Sequence, residues 1–193
     1  PTIVARPDTS FGECLVLRAQ GVRVAPNHSA TKVAWLLDQV DPKRQRDLCF
    51  GTVDSWITWH LTGGEHHVTD ASNQSVTGLM RFDGSGWHGP TLEALRIPET
   101  ILPDVVDSTG IVGPATALAG APPIAGIAGD QQASLVGQGC VRPGSAKITF
   151  GTGGMLDVFL GEDPPASATR QPHGTFPIVV LRAGGVTSWG AEG

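Results

Sequence analysis

The chain has 193 residues, enough for one or two domains with a buried core, and it is 40% hydrophobic and 16% charged, with 26 Gly and 15 Pro. That is the composition of a turn-rich globular protein, and it excludes collagen-like, low-complexity and wholly disordered chains. The 13 basic and 18 acidic residues leave a net charge of −5, with no cluster of Lys and Arg to neutralise phosphates, which argues against nucleic acid as a partner.

Cys14, Cys49 and Cys140 stand far apart. An odd number of cysteines without C-x-x-C spacing cannot close a fully paired disulfide framework and suits a reducing compartment. No apolar run reaches the ~20 residues of a spanning helix, and no basic stretch leads into an apolar one at the start. The expectation is therefore a cytoplasmic protein with no membrane partner. The chain lacks a starting Met and stops at Glu192-Gly193 after a strand-like run, so it is expected to be a stretch of a longer protein.

In chain order, the segment ending at Pro26-Asn27-His28 reads as loop. A helix follows, with Ser29 as its cap and Val33, Leu36, Leu37 and Val40 at the spacing of one buried stripe, stopped by Asp41-Pro42. A second helix is predicted over 52–61, burying Val53, Trp56, Ile57 and Leu61 and closed by Gly63-Gly64; the two helices should pack together or on one sheet. Residues 62–90 are rich in Thr, Ser, Gly and Asp and read as loop. A short helix fits 91–95. Beyond it, Ile124 to Ala128 form a light apolar strand, Gly129-Asp130 a turn, and 131–138 a helix, which puts Asp130 at the carboxyl end of a strand. After Pro143-Gly144 the pattern turns to two hairpins, 147–160 with a Gly151-Thr152-Gly153-Gly154 tip and 176–189 with Ala183-Gly184-Gly185 at its turn. Pro143-Gly144 is the expected boundary, with one lobe over 1–143 and the start of another over 144–193.

Two constellations carry chemistry. The glycines of 151–154 let backbone N–H groups approach an anion unobstructed, and the Thr152 hydroxyl adds a donor, so the tip is either a phosphate cradle or a plain turn. No Walker A or G-x-G-x-x-G pattern is present, so a nucleotide would be held some other way. Asp130, followed by Gln131-Gln132, is either a general base for a hydroxyl with amides beside it or the cap of the next helix. His66, His67 and Asp70 read as solvated loop residues rather than metal ligands, because adjacent residues point apart. No G-x-S-x-G elbow supports a hydrolase. Trp35, Trp56, Trp59, Trp87 and Trp189 read as core or sugar-stacking residues.

Together and in this order, Ser29-Ala-Thr-Lys-Val-Ala-Trp-Leu-Leu37, Phe50-Gly-Thr-Val-Asp-Ser-Trp56, Trp59-His-Leu-Thr-Gly63, His67-Val-Thr-Asp70, Ser72-Asn73, Ile97-Pro98, Leu102-Pro103, Ile127-Ala-Gly-Asp-Gln-Gln132 and Phe150-Gly-Thr-Gly153 resemble the FGGY carbohydrate kinases, most of all the members that phosphorylate glycerol. The resemblance runs from about Pro26 to Gly193 and covers the middle of the family's longer chain.

It implies an α/β, ribonuclease H-like (actin-type ATPase) two-lobe fold, present here only in part. The 1–143 stretch would be the later part of the substrate-binding lobe, and 144–193 the beginning of the nucleotide-binding lobe. It implies transfer of a phosphoryl group from ATP, with Mg, to a hydroxyl of a small polyol or sugar, glycerol first. Asp130 would be the catalytic base and would hold Mg through water. Gln131 would contact substrate hydroxyls, Gly151, Thr152 and Gly153 would contact the nucleotide phosphates, and the full-length protein would be a homo-oligomer. The family's upstream phosphate hairpin and downstream adenosine site are not among these residues, so residues 1–193 alone are expected to be inactive. Glycerol-type members usually carry a substrate-touching Tyr where Asn27 stands and a Phe where Met155 stands. Both positions are assigned to the substrate pocket, and their change points to erythritol, xylulose, ribulose or a similar substrate as the alternative. A sugar-binding remnant without catalysis is the further alternative.

Overall fold

The computed structural model describes residues 28–151, 153–165 and 174–193, so Asn27 and Thr152 lie outside the described residues. These residues fall into two compact units, one of 28–50 with 76–103 and the other of 51–75 with 104–193.

The first unit is built on α1, Ser29–Val40. The buried stripe is Ala30, Val33, Ala34 and Leu37, whereas Leu36 and Val40 are exposed. The predicted stripe is thus one step off, because two small alanines let the helix settle closely onto Leu79, Leu92 and Ile101. Ser29 is already helical and His28, in extended backbone, stands at the cap position with no side-chain cap bond. The stop falls where the sequence put it. Asp41 N–H closes on Leu37 O at 2.8 Å, and its carboxylate accepts the N–H groups of Gln45 and Arg46, each at 3.0 Å. A short helix over Gly89–Ala94 and a 3-10 turn over Glu99–Ile101 add Leu92 and Ile101 to this core, and Leu79, Ile97 and Leu102 complete it.

The second unit begins with α2, Val53–Leu61, and here the sequence expectation is overturned. Ser55 and Thr58 are buried, while Val53 is 75% and Trp56 65% exposed and Ile57 is exposed as well. The helix packs its polar face on strand β1, Val68–Asp70, because its first turn is fastened there: Thr69 Oγ1 donates to Asp54 Oδ2 at 2.8 Å, and Thr52 Oγ1 donates to Asp54 Oδ1. The helices α1 and α2 belong to different units, so the expected packing of one on the other is not the basis of either.

Residues 62–90 are not simply loop. They contain β1, buried along its whole length, then α3, Ala71–Ser75, and after a Met80–Trp87 bridge they lead into α4, Gly89–Ala94. Strand β1 is too short and polar to show periodicity; what makes it a strand is parallel pairing with β2, Asp104–Val106. A second pair joins β3, Thr109–Pro114, to β4, Pro123–Gly126. Helix α5, Asp130–Gly137, follows.

The rest of the unit is a four-stranded antiparallel sheet in the order β5 (Ala146–Phe150), β6 (Gly154–Gly161), β8 (Val186–Glu192), β7 (Phe176–Ala183). Both hairpins form as the sequence indicates. Gly184 and Gly185 have φ of 57° and 78°, the two left-handed positions that a two-residue turn between twisted strands requires. Ile178, Val179, Val180 and Trp189 are buried in this sheet, and α5 covers it with Leu135.

Candidate active site

All of the described site residues lie in the second unit. Its foundation is Asp70 at the end of β1, which is wholly buried and so is not a solvated loop residue. A buried carboxylate needs donors, and Asp70 has five. Oδ1 accepts from Ser72 Oγ at 2.9 Å, Asn73 N at 2.9 Å and Asn73 Nδ2 at 2.8 Å. Oδ2 accepts from Ser72 N at 3.0 Å and Ser108 Oγ at 2.5 Å. Among the described residues no group of three metal-ligating side chains occurs.

This network reaches the segment that leads into Asp130; β4 ends at Gly126, so Asp130 opens a helix four residues beyond its strand and does not stand at the strand's carboxyl end as the sequence suggested. Ile127 N–H donates to Ser108 O at 3.0 Å, and Gly129 N–H donates to Ser72 Oγ at 2.8 Å. A Cβ on Gly129 would stand 2.3 Å from Oε1 of the buried Gln132, so a side chain there would force that amide to shift. With 127 and 129 tied down, α5 starts at Asp130. Asp130 is the first helical residue and not its cap, which is Gly129. Its carboxylate is exposed, and Oδ1 accepts the Gln131 N–H at 2.9 Å. Oδ2 has no hydrogen bond among the described residues.

Gln131 turns to the β5–β6 hairpin. Its Oε1 accepts from Lys147 Nζ at 2.6 Å and from Thr149 Oγ1 at 3.3 Å. Lys147 is buried and paired with the wholly buried Asp157, Nζ to Oδ2 at 2.8 Å, and also donates to Thr149 Oγ1 at 2.8 Å. The register sets Lys147 opposite Asp157 and Thr149 opposite Met155. Side chains directly opposite in a ladder, and two apart on a strand, share a face. Half-buried Met155 therefore stands on the same hairpin face as Lys147 and Thr149, the two residues that bond Gln131.

At the hairpin tip Gly151 N–H closes on Gly153 O at 2.9 Å, and Phe150 is 87% exposed. A Cβ on Gly153 or Gly154 would meet nothing within 4 Å, and one on Gly151 would meet only Gly153 O at 3.9 Å. Among the described residues, neither internal packing nor left-handed backbone demands these glycines.

The sequence singled out Asp130, Gln131 and the tip as candidates, but gave no role to Ser72, Ser108, Lys147 or Asp157. The available signals were a Lys and an Asp at inward positions of otherwise apolar strands, and an Asp ending a Val-Thr strand.

The α/β fold is ribonuclease H-like, of the actin-type ATPase kind, present in part. A Plasmodium falciparum glycerol kinase solved with ADP matches it with a TM-score of 0.78 at 23% identity, over 96% of this chain and 38% of that one. A xylulose kinase from Rhodospirillum rubrum matches with a TM-score of 0.73 at 22% identity, over 95% and 39%.

The chain belongs to the FGGY family of carbohydrate kinases, whose N-terminal domain model matches residues 12–137. Among curated relatives, a glycerol kinase of Alkalilimnicola ehrlichii is 47% identical over 94% of this chain and 37% of its own length. A glycerol kinase of Methylobacterium nodulans is 43% identical over 99% of this chain and 38% of its own. The chain thus spans little more than a third of the relatives it matches. Among the described residues no helix is long and apolar enough to cross a membrane.

Proposed function

We propose that the full-length protein carrying this chain is a cytoplasmic, homo-oligomeric kinase that transfers the γ-phosphoryl group of ATP to a hydroxyl of glycerol. The observation that carries the reading is Asp130: an exposed carboxylate with one free oxygen, on a helix start immobilised by Ser72 and Ser108, beside an amide fixed on the hairpin that ends in the glycine tip. In this reading 1–143 belongs to the substrate lobe and 144–193 opens the nucleotide lobe.

Asp130 Oδ2 takes the proton of the accepting hydroxyl, whose oxygen bonds to the γ-phosphorus as the bond to the ADP oxygen breaks. Rigid placement matters most here, because phosphoryl transfer is accelerated chiefly by positioning and charge neutralisation. Gln131 binds a substrate hydroxyl, and the tip, its turn closed by the Gly151 N–H on Gly153 O, meets the phosphates through the Gly153 N–H and Thr152. Mg2+ keeps most of its water, so Asp130, as an exposed carboxylate, is the residue here that would hold it through a bound water, leaving Oδ2 to take the proton. Bound there, the cation supplies neutralisation of phosphate charge.

Met155 favours a second reading. A flexible thioether on the Gln131 face adapts to a longer substrate, and Asn27, at the other changed pocket position, would add an amide. The test is kcat/KM of the full-length protein with ATP and Mg2+ on glycerol, erythritol, xylitol, ribulose and xylulose. Turnover of glycerol is expected. A tenfold lead for a four- or five-carbon substrate would move the assignment to it, and a folded protein turning over none of the panel would leave only a sugar-binding relative.

A further inference from the structure

Lys147 and Asp157 form a buried ion pair where an all-apolar hairpin face would be simpler to bury, and buried ion pairs contribute little net stability. The pair has a directional consequence. An ammonium group only donates, so the atom of the Gln131 amide that meets Lys147 at 2.6 Å must be the oxygen. The Thr149 hydroxyl, which itself accepts from Lys147, donates to the same oxygen. Both acceptor sites of Oε1 are then occupied from within the hairpin, and the amide cannot turn over without setting its NH2 against the ammonium. Among the described residues the Nε2 end has no partner.

We propose that Lys147, seated on Asp157, is a positioning residue that holds the Gln131 amide with its oxygen toward the hairpin and its NH2 end toward the ligand. Gln131 then meets a polyol only as a donor and selects a hydroxyl free to accept at that place. The inference rests on the kinase reading for the identity of the ligand, but not for the fixed amide itself.

The variant for the test is K147M/D157L in the full-length protein, which removes both charges with little change of volume and strands neither partner. Loss of the fixed orientation is expected to raise KM for the polyol about 5- to 10-fold, the scale of one hydrogen bond, with kcat and KM for ATP within twofold. A folded double variant with unchanged polyol KM overturns the proposal. An independent arm follows the 15N–1H signal of the Lys147 ammonium, which should shift in Q131M; an unmoved signal also overturns it. If the wild-type protein phosphorylates no polyol while that signal does shift in Q131M, the kinase reading falls and the Lys147 positioning of Gln131 stands.

Discussion

Ser72 Oγ stands between Asp70 and Gly129, donating to Asp70 Oδ1 at 2.9 Å and accepting the Gly129 N–H at 2.8 Å, across 57 residues of sequence. One hydroxyl thus transmits the position of a buried carboxylate to the residue just before the proposed base. Ser72→Ala should leave the Gly129 N–H and part of Asp70 unsatisfied, costing about 1–3 kcal/mol in denaturant unfolding. It should also lower kcat about 10-fold or more through displacement of Asp130, with KM for ATP unchanged. A variant with full kcat would show that Asp130 does not depend on this contact.

Asp130→Asn keeps the shape and removes the proton acceptor. In the full-length protein kcat should fall ~10²–10⁴-fold with ATP affinity little altered. Retention of near-normal turnover would reduce Asp130 to an ordinary first-turn residue of α5, favourable there because a carboxylate complements the helix dipole.

Thr152→Val deletes a hydroxyl at the tip. We expect ATP to bind ~1–3 kcal/mol more weakly by calorimetry while polyol binding is unchanged; equal ATP affinity would make the Gly-Thr-Gly tip a simple turn.

Lys147→Met alone strands a buried Asp157 carboxylate and should cost about 3–5 kcal/mol of stability, whereas K147M/D157L should come within ~1 kcal/mol of wild type or exceed it. Equal losses in single and double variants, read by thermal and denaturant unfolding, would place the stabilising contribution elsewhere in the hairpin.

Asp107 accepts the Gly185 N–H at 2.9 Å and pairs with Arg182 at 2.6 Å, tying the β7–β8 turn to the loop after β2. The Gly185 hydrogen bond, with Arg182 beside it, holds the carboxyl below its ordinary 3.8. A carboxyl whose pKa is lowered by folding contributes stability above its unfolded pKa and loses it as pH falls through the folded one. The Tm difference between wild type and Asp107→Asn should therefore be constant from pH 7 to about 5 and shrink below pH 4. A difference independent of pH down to 3 would contradict the assignment.

The sequence by itself determined what depends on near neighbours and on punctuation: α1 and its stop at Asp41-Pro42, both hairpins with their glycine turns, and a helix beginning at Asp130-Gln131. Turn chemistry and short-range periodicity act over a few residues, and a linear reading sees them. The tertiary structure alone decided which face of α2 is buried, because Asp54 and Thr69 hydrogen-bond across 15 residues and outweigh the apolar pattern of Val53, Trp56 and Ile57. It alone made 68–70 a strand, since parallel pairing with 104–106 has no local signature. The same holds for the site. Asp130 and Gln131 were legible as residues, but the contacts that place them come from Ser72, Ser108 and Lys147, brought near by a fold in which buried polar groups must find partners wherever the chain supplies them.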